Sequence, residues 1–149
     1  MTPRHEKKGG SMQINRIWPK DVYRAPDHGT GVPGFAQVVE VVRSSTSRSI
    51  HIAGTYGCEP DMTFTSSEMG MQVRQALENI RRSLAAVGAT PADVVRIKTY
   101  VTDLVAFRAE GAPEFVAFWA GKPPVSTSIQ IVALHPGALV EMEAYAELD

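Results

Sequence analysis

GMQVRQALENIRRSLAAVGATPADVVRIKTYV, residues 70–101, holds the pattern on which the fold turns. Met69, Val73, Ala76, Leu77, Ile80, Leu84 and Val87 recur at spacings of three and four, the signature of an amphipathic helix with one apolar stripe. Thr65-Ser66-Ser67-Glu68 has the spacing of a capping box at its start, and Gly88 suits the left-handed position that ends a helix. TPAD (90–93) then reads as a turn with a cap-like Thr90. In VVRIKTYV (94–101) the period switches to two, Val95, Ile97, Thr99 and Val101 alternating with Arg96, Lys98 and Tyr100. A helix feeding directly into a strand predicts a layered α/β arrangement.

Working outward, QVVEVVR (37–43) and SIHIAG (49–54) are two β-branched strand signals broken by the Ser/Thr cluster 44–47, which predicts a hairpin. After residue 101, Asp103 is placed to cap a second helix whose buried side is marked by Leu104, Phe107, Phe115, Phe118 and Trp119. Pro113 lacks a backbone donor, so a kink or restart is expected near Gly111. Strands over 125–134 and 139–147 close the chain, joined by HPGA (135–138). The predicted order is β-β-α-β-α-β-β: an α+β fold with a mixed sheet and two helices on one face. Residues 1–12 are expected to be a flexible tail and 13–149 one domain.

Two helices cover only one face of such a sheet. In the last strand Glu141, Glu143, Tyr145 and Glu147 alternate with Val140, Met142, Ala144, Ala146 and Leu148, and the strand before it has apolar residues on both faces. Apolar residues on the uncovered face favour burial against another subunit. The polar row Ser126, Ser128, Gln130 either lines a ligand site near such a boundary or is the wet face of a sheet.

With 149 residues, 15 basic and 16 acidic side chains, the chain has a net charge of −1. No bulk electrostatic attraction to nucleic acid or an anionic membrane follows, and no apolar run has the length of a membrane span. The single cysteine, Cys58, excludes an internal disulfide, and a cytoplasmic location is expected. The histidines (5, 28, 51 and 135) lack metal-ligand spacing, so neither metal nor organic cofactor is expected. His51 and His135 read as packed or turn residues before they read as catalytic ones. Arg96 and Lys98 are either a source of positive charge for a neighbouring subunit or an exposed, ion-paired strand face.

Residues 70–107, PPVSTSIQIVALHPGALVEMEAYAEL (123–148) and IHIAGTYG (50–57) together resemble the Rid (YjgF-like) family of enamine/imine deaminases. The resemblance spans roughly residues 35–148. It implies a chorismate-mutase-like α+β subunit and a homotrimer with a cleft between each pair of subunits. It also implies a set of site residues, several of which differ here. Ser126 stands where the family carries the arginine that clamps a substrate carboxylate. Gly111 stands for the family's asparagine, Phe35 and Ala36 for its Tyr-Ser pair, and Glu114 for a frequent tyrosine. Glu141 matches the glutamate thought to position water. On this resemblance Glu141 is the expected catalytic group, and Ser126, Ser128, Gln130, Phe35, Tyr56, Cys58 and Glu114 are the expected ligand-binding residues. Loss of the arginine points away from the usual 2-imino acids. Two functions follow: hydrolysis of another imine, enamine or related C–N bond, or a non-catalytic ligand-binding or regulatory trimer. An RNA-cleaving role fits poorly with the neutral charge and the lack of a basic-aromatic patch.

Overall fold

The computed structural model describes residues 11–149, so most of the tail assigned to residues 1–12 lies outside the described residues. Six strands form one mixed sheet: β1 (Gln13–Ile17), β2 (Val38–Val42), β3 (Arg48–Tyr56), β4 (Val94–Val101), β5 (Val125–Gln130) and β6 (Val140–Leu148), in the order β1-β2-β3-β6-β4-β5. Neighbours are antiparallel except β4 and β5, which run parallel across the helical crossover between them.

The expected order holds, with one strand added. β1, QINRI, pairs with β2 at the sheet edge. Its polar residues hide it from a hydrophobic pattern; it is held by Asn15 donating to Glu40 (2.8 Å). Glu40 also accepts from Arg48 (2.6 Å), whose guanidinium reaches the Val87 carbonyl (2.9 Å), tying three strands to the end of the first helix. β5 is shorter than expected and stops at Gln130.

α1 (Met69–Ala85) buries Val73, Ala76, Leu77, Ile80 and Leu84 against Ile50, Ile52, Ile97, Val101, Val140 and Met142 of the sheet. Gly88 takes φ +70°, as the stop signal requires. At the start, however, the Thr65 capping box does not form: Glu68 is the N-cap and makes no side-chain cap bond. The box is instead at Thr90 and Asp93, around the 3-10 turn Pro91–Asp93.

Asp103 caps α2 (Leu104–Ala106) through Val105 N and Ala106 N, as anticipated. The expected break is a π turn, Phe107–Gly111, before α3 (Ala112–Phe118). Pro113 falls in the first turn of α3, directly after the π turn, whose altered hydrogen-bond spacing accommodates its missing donor. Gly111 packs on Phe107 and Val73 so closely that a Cβ would sit 2.8 Å from a ring carbon of one and a methyl carbon of the other.

Registers assign the faces. Ile97, Thr99 and Val101 pair with Ala144, Met142 and Val140 on the helical side. Arg96, Lys98 and Tyr100 pair with Tyr145, Glu143 and Glu141 on the open side. Val39 and Val41 share the open side with His51 and Ser49.

Candidate functional site

A break in register between Ile52 and Thr55 puts a bulge in β3 opposite the start of β6. The bulge brings Tyr56 opposite Glu141 on the open face. It also carries Gly54, whose missing side chain makes room for the carboxylate: a Cβ there would lie 1.9 Å from Glu141 Oε1. Tyr23 donates its hydroxyl to the Gly54 carbonyl, fastening the segment before β2 over this point.

The result is a cavity of about 310 Å³ lined by Tyr23, Arg24, Pro26, Phe35, Tyr56, Met62, His135 and Glu141. That is the lower end of the size range of small-molecule sites. A larger depression of about 520 Å³ is an open groove along the uncovered sheet face, lined in part by His51, Arg96 and Tyr145. Its Lys98 is paired with Glu143 at 3.2 Å, while its Arg96 has no ion pair among the described residues.

Burial raises the proton affinity of Glu141; the neighbouring Tyr56 hydroxyl opposes this by stabilising the anion, and Glu143 reinforces it. The Tyr56 phenol is itself pushed up to about 12, by burial first and then by the Glu141 charge, so it remains a hydroxyl donor at neutral pH. His135 packs near Tyr56 and Phe64, ring centroids 6.0 Å from each. Its Nδ1 lies 3.0 Å from the Pro136 carbonyl, which can only accept, so Nδ1 carries the hydrogen. In the neutral ring Nε2 is then the acceptor.

Two buried polar residues of α1 hold these groups in place. Gln72 donates to the carbonyls of Ser66 and Gly137 (both 2.8 Å) and accepts from Leu139 N (2.8 Å), fixing the turn between His135 and β6. Asn79 donates to the carbonyls of Tyr56 (3.0 Å) and Cys58 (2.8 Å), fixing the end of β3. Gly57 permits the close approach, since a Cβ there would lie 2.2 Å from the Gln72 carbonyl oxygen.

Of the residues singled out from sequence, Glu141, Phe35 and Tyr56 meet in the cavity. Cys58 lies behind its wall, buried with Val22 and Tyr23, its Sγ 3.8 Å from Met62 Sδ. Burial and then the charges of Glu59 and Asp61 push the thiol up to about 12, which makes it an inert packing group. Ser126, Ser128 and Gln130 pair with Ile97, Thr99 and Val101, on the helical side of the exposed edge strand. Within one chain they do not face Glu141. Gln130 instead accepts from Leu104 N at 2.9 Å. Glu114 is held by a two-bond pair to Arg74 (2.6 and 2.9 Å) on the helical layer. Tyr23, Arg24, Pro26 and Met62 went unmarked in the sequence because they lie in loops without periodicity. An aromatic-basic pair, Tyr23-Arg24, is the one signal there that could have found them. Among the described residues no cluster of three His, Cys, Asp or Glu is placed to hold a metal ion, and no helix is long and apolar enough to cross a membrane.

A family model described as Endoribonuclease L-PSP matches residues 33–148. The chain belongs to the Rid (YjgF-like) family. This Rid-family chain is 28% identical over 113 residues to Protein DfrA of Myxococcus xanthus, covering 75% of this chain and 83% of that protein. It is 27% identical over 113 residues to a 2-iminobutanoate/2-iminopropanoate deaminase of Mus musculus, covering 75% and 79% respectively. A crystal structure of a YjgF-family member from Mycobacterium tuberculosis is 30% identical, covers 91% of this chain and 98% of its own, and superposes with a TM-score of 0.68. The mixed sheet with its helices on one face is the family's fold.

Proposed function

We propose that this Rid-family protein binds a small metabolite at the Glu141 cavity and hydrolyses an imine, enamine or related C–N bond there, on substrates other than the usual 2-imino acids. The observation that carries this reading is Glu141 itself: a half-buried carboxyl with raised proton affinity, facing a cavity beside a phenol that stays protonated. The deaminase-named relative supports the reaction class.

Hydrolysis of an imine adds one water across the carbon–nitrogen double bond and expels one ammonia, leaving a carbonyl. Glu141 as carboxylate accepts a proton from water as its oxygen bonds to the imine carbon. That proton passes to nitrogen, giving a carbinolamine; Glu141 then takes the hydroxyl proton and returns it to nitrogen as the carbonyl forms, the C–N bond breaks and ammonia leaves. Raised basicity suits a group that must both take and return a proton near neutral pH. Tyr56 donates a hydrogen bond to hold the carboxylate or the attacking water. The oxidation state of carbon is unchanged, so the step requires no redox partner.

The protein acts as a homotrimer in this reading. The edge strand β5 offers exposed Val125 and Ile129 on the same sheet face as Arg96 and Lys98, a surface suited to a second copy. Such packing is how Ser126, Ser128 and Gln130 of one subunit would reach the cleft of another.

The deciding measurement is ammonia release from a panel of imines, with and without carboxylates. Wild type is expected to release ammonia and Glu141→Gln to lose at least about a hundredfold of that rate, the usual scale for a general acid–base group. A second reading, non-catalytic ligand binding, is favoured by Ser126, which supplies no charge where the family's arginine would. Wild type and Glu141→Gln equally inactive while a metabolite still binds would establish it.

A further inference from the structure

The cavity contains a guanidinium from outside the segment that the family model matches. Arg24 lines it together with Glu141, yet lies upstream of residues 33–148, the part matched by the family model. Its neighbours Tyr23 and Ala25 are buried, at 2% and 3% exposure, and anchor the backbone on either side. Tyr23 is further fixed by its bond to the Gly54 carbonyl. Arg24 is therefore carried by a held segment. Among the described residues it forms no ion pair and no side-chain hydrogen bond; Arg16, Arg96 and Arg108 also lack partners, but of these four only Arg24 lines the cavity with Glu141. Glu141 shares the cavity, but its oxygens do not come within 4.0 Å of the Arg24 nitrogens. A guanidinium with no protein partner among the described residues thus shares a small cavity with a carboxyl that it does not touch.

We propose that Arg24 is the anion-binding group of this cavity and that its ligand is a small molecule bearing a single carboxylate. The proposal deepens the functional reading above and rests on the same site. A planar guanidinium matches a carboxylate with two parallel hydrogen bonds. One such group in a cavity of about 310 Å³ suits a monocarboxylate of a few carbons better than a phosphate, which needs more donors. The rest of the wall, Phe35, Met62, Tyr56 and Pro26, accommodates an apolar or carbonyl-bearing body. The carboxylate is then held from the N-terminal segment, not from the position of Ser126. That places it differently relative to Glu141 and selects a different acid.

Calorimetric titration of the full chain with 4-oxopentanoate, 2-oxobutanoate and the neutral 2-pentanone tests this. Wild type is expected to bind at least one acid about tenfold or more tighter than the ketone, the scale of a charge-assisted hydrogen bond. Arg24→Met is expected to abolish that preference without changing ketone binding, and Arg24→Lys to retain part of it. A wild type that binds neither acid better than the ketone overturns the proposal, as does Arg24→Met binding the acids as wild type does. Because Arg24 is an exposed residue, its variants are expected to keep the wild-type melting temperature. A chain that binds acids through Arg24 yet releases no ammonia from any imine fails the hydrolytic reading alone.

Discussion

Where Gly54 lacks a side chain, Glu141 finds room for its carboxylate, and the two positions define each other. An alanine at 54 meets only the flexible end of Glu141, with Oε1 at 1.9 Å and Cδ at 2.8 Å, so the side chain yields and the fold does not. Gly54→Ala is expected to swing the carboxylate toward water and reverse the desolvation that raises its proton affinity. A general base works in its ionised form, so the acid limb of the activity profile should move to lower pH while the rate at neutral pH falls. A pH–rate series on wild type and variant reads both; an unmoved limb would show that Glu141 does not govern it. Glu141 itself was visible in sequence through the match of VEMEA to the family's motif. The need for Gly54 was not, because a glycine near a strand end announces a turn as readily as a space kept for a distant side chain.

At the level of elements, α1 is the scaffold on which the site is hung. Its apolar stripe was plain from periodicity, but Gln72 and Asn79 sit among those buried positions and do the positioning. Burial of such groups requires partners, and here the partners are the backbone of the two segments that bear His135 and Tyr56. Gln72→Leu roughly keeps the volume and strands two carbonyls and one amide. It is expected to cost on the order of 2–3 kcal/mol, measured by urea unfolding, since each unsatisfied buried group carries a desolvation penalty. A loss below about 0.5 kcal/mol would mean that water replaces the side chain at little cost. Sequence reading recovered the elements governed by periodicity and by caps such as Asp103. It missed β1, which offers only Ile14 and Ile17 as apolar residues and is held by backbone pairing with β2 and by the Asn15–Glu40 bond. It also placed a capping box at Thr65, where the spacing is right but the backbone enters the helix only at Glu68.

For the whole molecule, one face of the sheet is packed by helices and the other is open, with Val125 and Ile129 exposed. Homotrimer formation would cover this face, and sedimentation velocity across a dilution series is expected to show a single species of three chains. A stable monomer would remove the cleft between subunits. A coupled expectation is that specific activity falls once dilution separates the chains, because Ser126 and Glu141 lie on opposite faces of one chain and only a neighbour brings such surfaces together. Their separation was not legible in sequence: alternation shows which residues share a face, but the pairing of β5 with β4 decides which face that is.

The Tyr23 bond to Gly54 has a practical bearing on how the gene is handled. Residues 33–148 are the part of the chain that the family model matches, and an expression clone could be trimmed to those limits. Such a clone would retain the helices and all but the first strand. It would also have discarded Tyr23, Arg24 and Pro26, a wall of the cavity, so a failure to bind ligand in such a clone would say nothing of the longer chain.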